Sequence, residues 1–230
     1  MNAFARRPAG VICLVTPGAA PFVPPVPIAD RLVALGALIA DATSAGVDIV
    51  QIREPDVPAR DLTALVAAAV QSSRGTRTRI VVNDRVDVAL AAGADGAHLG
   101  VRSLPAARAR DMTPPGFLLG RSIHTVDEAR IVAADRNVDY VIAGTVFASE
   151  SKPNEARLLG IGGLAAVVRA VDLPVLAIGG IDLETLASVA ATGSVGFAAI
   201  RLFSDAFAQS GLREIVNRAR QTFDTGRVIP

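Results

Sequence analysis

The chain has 230 residues, 51% of them apolar but only 4% aromatic and none of them tryptophan, so its core is built of Ala, Val, Leu and Ile. With 23 basic against 22 acidic residues the formal net charge is +1, and no long basic run marks a surface for nucleic acid or an anionic membrane. One cysteine, Cys13, excludes an intramolecular disulfide and suits a reducing cytosol, and with only two histidines it leaves no zinc site.

Residues 1–9 read as a tail. Arg6 and Arg7 precede an apolar run, but the run from Val11 to Val15 is too short for a signal peptide and ends at Pro17-Gly18. A first strand is expected over Val11–Thr16, with Cys13 as packing rather than nucleophile. Ala19–Pro27 carries prolines at 21, 24, 25 and 27 and reads as an extended connector. Helix Ile28–Ser44, strand Asp48–Arg53 and helix Ala59–Ser73 follow, then strands Arg79–Asn83, Gly96–Leu99 and Phe117–Ile123. The remainder alternates: helix Val126–Ala134, strand Tyr140–Val146, helix Ile161–Val171, strand Pro174–Gly179, helix Leu183–Thr192, strand Val195–Arg201 and helix Phe207–Phe223. No apolar stretch is long enough to cross a bilayer.

Near-continuous apolar strands alternating with helices imply a parallel sheet covered on its outer face. Eight such units predict an α/β fold of one closed (β/α)8 TIM barrel over residues 10–224, with tails at 1–9 and 225–230. An open doubly wound sheet is the alternative, but Thr16-Pro17-Gly18 lacks the glycine pattern of its first turn.

In such barrels the functional groups come from the C-terminal strand ends. Those ends carry Gln51, Arg53 and Glu54, then Asn83, Asp84 and Arg85, then His98 and Gly100, then Ser122 and His124. After strand 6 comes Ser149-Glu150-Ser151-Lys152, after strand 7 Gly179-Gly180, and strand 8 closes on Arg201. Alternation puts Gln51 with Arg53, and Ser122 with His124, on common faces. Each residue has a structural alternative: Arg53 pairs with Glu54 or Asp84, His124 closes a strand, and the glycines make a tight turn. Taken together, so much polar chemistry favours a ligand site. Two glycines before a helix near Asp182, helped by Arg201, point to a phosphate.

The segments VQIRE, VVNDRVDVALAAGADGAHLG, GRSIHTVDEA, VDYVIAGTVF, SESK and PVLAIGGI, in this order and spacing, resemble the thiamine phosphate synthase/TenI superfamily. That resemblance implies a (β/α)8 barrel that handles a small-molecule thiazole phosphate, with no nucleic-acid or membrane partner, and leaves homo-oligomerisation open. One branch joins hydroxymethylpyrimidine diphosphate to thiazole phosphate with Mg²⁺. The TenI-like branch moves a proton to make a carboxythiazole phosphate aromatic, without a metal.

Two departures bear on the choice. The synthase pattern has a lysine where this chain has Pro55, and a second metal aspartate where it has Ser103; Asp84 remains. The expectation is therefore a TenI-like thiazole tautomerase, an isomerase without cofactor. His124 would be its proton relay, since an imidazole pKa of about 6.5 suits exchange near neutrality, and Ser122 would orient the ring or stabilise the developing aromatic system. Gln51, Arg53, Asn83, Ser149, Ser151 and Lys152 would bind substrate, and Gly179, Gly180 and Arg201 the phosphate. The alternatives are an Mg²⁺-dependent synthase using Asp84, and a binding protein for thiazole or thiamine phosphate that has lost its chemistry.

Overall fold

A computed structural model describes residues 10–18, 26–148 and 158–226. Residues 19–25, which hold most of the proline-rich connector, lie outside them. Eight parallel strands close into a barrel in sequence order: β1 (Val11–Val15), β2 (Ile49–Ile52), β3 (Arg79–Asn83), β4 (Gly96–Leu99), β5 (Leu118–Ile123), β6 (Tyr140–Ala143), β7 (Val175–Ile178) and β8 (Gly196–Ala199). Cys13 of β1 lies opposite Ile49 on one side and Ala198 of β8 on the other, which seals the ring.

The period of two along each strand sorts the side chains. Val11, Cys13, Val15, Ile49, Val81, Tyr140, Ile142, Leu176 and Ala198 fill the lumen. The alternate residues, such as Ile12, Leu14, Val50, Ile52, Ile80 and Val82, meet the helices outside. Both faces of every strand are therefore buried, which is why the strands read as continuous apolar runs. Burial pushes the Cys13 thiol well above its ordinary range, with Asp48 adding to the effect, so it packs and does not react.

The outer layer holds α1 (Ile28–Ala45), α2 (Ala59–Ser73), α3 (Val86–Ala91), α4 (Ala106–Asp111), α5 (Val126–Asp135), α6 (Gly160–Ala170), α7 (Leu186–Ala190), α8 (Arg201–Ala208) and α9 (Leu212–Gly226). Leu35, Leu38, Ile39 and Ala42 form the buried stripe of α1, at the spacing of one helix face. Each fully buried leucine or isoleucine of this kind contributes about 1.5–3 kcal/mol. Among the described residues no helix is long and apolar enough to cross a membrane.

Three local outcomes differ from the sequence reading. α3 and α4 span six residues each, too short to show a helical period. The expected helix Phe207–Phe223 is two, because Ser210 takes φ 55° and Gly211 follows, turning the chain between α8 and α9. Strand 8 stops at Ala199, so Arg201 is the first residue of α8 and not a strand end.

The N-terminal end of the barrel is pinned by ions. Asp48, whose side chain is fully buried, accepts from the Ile12 amide at 2.9 Å, from Arg220 at 2.9 Å and from Arg77 Nε at 3.0 Å. Arg220 of α9 also donates to the Gly10 carbonyl at 2.8 Å and to the Gly46 carbonyl at 3.0 Å.

Candidate active site

At the opposite end, the lumen turns from apolar to polar over one layer. Gln51, Asn83, His98 and Ser122 hold successive inward positions on β2 to β5. Gln51 Nε2 donates to Asn83 Oδ1 at 3.1 Å, and His98 Nε2 lies 2.9 Å from Ser122 Oγ. Gln51 Oε1 and His98 Nδ1 are buried without hydrogen-bond partners. Buried polar atoms are nearly always paired, so Gln51 Oε1 calls for a donor that the described protein atoms do not supply.

His98 was visible in the sequence as a polar strand end but carried no assigned role. Its signal is parity: it shares the inward register of Gln51, Asn83 and Ser122. Below it, Tyr140 fills the lumen, with its ring centroid 5.7 Å from that of His98.

His124 stands one residue beyond β5 and is half-buried. Its Nδ1 lies 2.5 Å from the Gly144 carbonyl oxygen, which only accepts, so Nδ1 carries a proton and Nε2 is the atom left to face a ligand. Its backbone N–H donates to Glu128 Oε2 at 2.7 Å, while Thr125 Oγ1 accepts from the Glu128 amide at 3.1 Å. This pairing caps the start of α5 in the manner of a capping box. His124 thus ties the end of β5 to the end of β6.

After β2, the Arg53 amide donates to Thr16 Oγ1 at 2.8 Å, while its side chain is exposed. It does not pair with Glu54. The Glu54 carboxylate is buried beside Arg31 at 3.3 Å and accepts from the Gly18 amide at 3.2 Å. Desolvation raises the Glu54 pKa despite the cation and the hydrogen bonds that oppose it. Asp84 follows β3 with an exposed side chain and φ 65°, a backbone conformation that costs a non-glycine residue of order 1–2 kcal/mol.

The turn after β4 is closed on itself: Ser103 Oγ accepts the Gly100 amide at 2.7 Å. Among the described residues no group of three His, Cys, Asp or Glu side chains gathers to hold a metal.

Gly179 and Gly180 have φ 105° and 62°. A Cβ on Gly179 would strike Thr145, and one on Gly180 would lie 2.5 Å from the Ala148 carbonyl. Both glycines are demanded by this close passage of the β6 loop, whose Phe147 amide donates to the Gly179 carbonyl at 3.0 Å. The helix expected near Asp182 begins at Leu186 and is five residues long. Asp182 Oδ1 itself accepts the amides of Glu184 and Thr185 at 3.0 and 2.9 Å, so those donors are already satisfied. Arg201 is exposed at the start of α8, 3.7 Å from Asp205. Ser149, Ser151 and Lys152 lie outside the described residues.

The structure therefore pairs Gln51 with Asn83 and His98 with Ser122 at inward positions of β2 to β5. Arg53, Asp84 and Arg201 are exposed just beyond β2, β3 and β8.

Comparison with known proteins gives this geometry a context. Residues 26–203 match the family model described as thiamine monophosphate synthase. A thiamine-phosphate synthase of Roseiflexus sp. is 43% identical over 167 residues, covering 73% of this chain and 70% of its own. One from Moorella thermoacetica is 40% identical over 187 residues, covering 80% of this chain and 89% of its own. Among solved structures, a thiamine phosphate pyrophosphorylase from Pyrococcus furiosus superposes with a TM-score of 0.78 at 28% identity, over 98% of both chains.

These relatives overturn the expectation of a TenI-like isomerase, since at this identity and coverage they are named as synthases. Pro55 and Ser103 had carried that expectation, and neither outweighs similarity along most of the chain. By its matched residues, its barrel and these relatives, the chain belongs to the thiamine monophosphate synthase family.

Proposed function

We propose that the protein is a thiamine-phosphate synthase, a transferase that joins hydroxymethylpyrimidine diphosphate to thiazole phosphate and releases diphosphate. The observation that carries the reading is identity of 40–43% to relatives of that name over most of the chain. The polar layer of the lumen, with its buried unpaired acceptor Gln51 Oε1, supports the same reading.

In this reading the aromatic ring of one substrate enters the mouth above Tyr140. Gln51 Oε1, buried and unpaired, accepts from a ring substituent, and Asn83 holds the Gln51 amide in place. Ser122 contacts the ring from β5. The Gly179-Gly180 turn, packed against the β6 loop, and the start of α8 take the thiazole phosphate through backbone N–H groups, as loops after strands 7 and 8 do in such barrels. Arg53 and, from the loop after β6, Ser149, Ser151 and Lys152 bind the departing diphosphate, and Arg201 adds charge at the rim.

Mg²⁺ is held through one or two carboxylates together with phosphate oxygens. Asp84 is one exposed carboxylate, while Ser103 is turned onto Gly100. This donor set fits a metal that the protein shares with the diphosphate, and the loss of the second aspartate does not remove it. When bound, the metal neutralises charge on the leaving group. Arg53, exposed after β2, contributes a cation that needs no metal.

The test is direct. Purified protein given both substrates releases diphosphate and forms thiamine phosphate only when Mg²⁺ is present. Absence of product at saturating substrates and metal would sink the reading.

A further inference from the structure

His98 stands on β4 with 2% of its surface exposed and its Nε2 2.9 Å from Ser122 Oγ. Its other ring nitrogen, Nδ1, is enclosed and has no hydrogen-bond partner. Gly120, opposite His98 in the β4–β5 register, makes the room: a Cβ there would lie 2.5 Å from Nδ1 and would strike the Tyr140 ring. A doubly protonated ring would leave a charged N–H buried at Nδ1 without an acceptor, so the enclosed imidazole carries one proton.

A neutral imidazole carries one proton, and its two placements leave different atoms unpaired. With the proton on Nδ1, a buried N–H has nothing to donate to, and Nε2 consumes the Ser122 hydroxyl proton. With the proton on Nε2, the orphan is only a lone pair, and orphaned buried N–H donors are rarer than under-satisfied acceptors. Ser122 Oγ then accepts from His98, and its own O–H is free to turn toward the mouth.

We propose that His98 is a positioning residue, an Nε2–H donor that sets Ser122 as a hydrogen-bond donor to the substrate. The ligand atom opposite Ser122 must then be a lone-pair acceptor, such as an aromatic ring nitrogen. A substrate analogue with C–H at that point loses the bond. This specificity rests on the synthase reading; the placement of the ring proton does not.

Because the chain contains two histidines, ¹⁵N-histidine labelling of the intact protein gives two imidazole signals, assigned by the loss of one in His98→Gln. The expected His98 signal is a neutral ring protonated at Nε2. A proton on Nδ1, or a charged ring at neutral pH, overturns the proposal whether or not the protein is active.

The kinetic arm separates positioning from folding. His98→Leu lowers kcat/KM about tenfold, the scale of one lost hydrogen bond to a reacting complex, and His98→Gln, which keeps a donor at that reach, restores most of it. In a Ser122→Ala background, His98→Leu costs nothing further, because its effect runs through the hydroxyl. An equal loss with and without Ser122 overturns the positioning role. If the unsubstituted protein shows no coupling, the synthase reading fails while the labelled spectra still decide the proton's place.

Discussion

Arg31 of α1 and Glu54 beyond β2 face each other at 3.3 Å with both side chains almost fully buried, and no other described cation pairs with Glu54. Arg31 also reaches Asp56 at 2.5 Å, so it links the first helix to the loop that presents Arg53. Replacing Arg31 with Met leaves the Glu54 charge buried alone and costs about 3–5 kcal/mol at neutral pH.

That cost depends on pH in a defined direction. The folded-state pKa of Glu54 is raised, chiefly by desolvation, so the native state holds its proton more tightly than the unfolded chain does. Stability from this group is therefore fully present below the ordinary glutamate range and falls as pH rises through the folded value. Urea unfolding of Arg31→Met at several pH values should show its deficit shrinking toward acid. A deficit that grows toward acid contradicts the assignment.

Asp84 separates stability from function. Asp84→Gly relieves a φ of 65° and should raise stability by about 1 kcal/mol. The same change removes the exposed carboxylate and should lower Mg²⁺-dependent coupling by at least about a hundredfold, the scale of several kcal/mol of charge stabilisation. Thermal melts and diphosphate-release assays on one sample read both effects.

The Gly180 position should fail in two ways at once. Gly180→Ala adds a Cβ 2.5 Å from the Ala148 carbonyl at φ 62° and should cost about 2 kcal/mol or more. It should also raise KM for thiazole phosphate more than KM for the pyrimidine substrate. An equal rise in both constants would place the phosphate elsewhere.

At the other end of the barrel, Arg220→Met strips Asp48 of a cation that acts on it together with Arg77 among the described residues, and leaves the Gly10 and Gly46 carbonyls without that donor. The expected loss is about 3 kcal/mol in urea unfolding with kcat unchanged. A change in kcat would mean that the pinned end communicates with the mouth.

Much of this architecture was readable because parallel strands buried on both faces announce themselves. β3 and β4 fall on the expected residues since charged or glycine neighbours bound their apolar runs. β6, β7 and β8 were expected to run longer because Val146, Gly179 and Ile200 continue the apolar pattern into loops that still pack against the barrel. Helix length limited the rest: six residues in α3 or α4 hold fewer than two turns, so no period emerges.

The site was legible as a list of strand ends but not as a network. Gln51, Asn83 and Ser122 could be named from sequence; the Gln51–Asn83 and His98–Ser122 pairings depend on register between strands, which no local pattern encodes. The choice of chemistry was misjudged because two substituted positions were weighted as if each were indispensable. A metal shared with substrate phosphates needs fewer protein ligands than that assumed.

The bond between Gly10 and Arg220 joins residues 210 positions apart. Bringing such distant segments together carries a large loop-closure entropy, and contacts of this span are slow to form. Of the eight strand pairings, that of β1 with β8 spans the most sequence, which favours its forming late. Until α9 arrives, β1 and β8 are open strand edges, able to pair with the same edges of another chain. A latch at the floor of the barrel would then also close those edges against another chain, at the end opposite the candidate site.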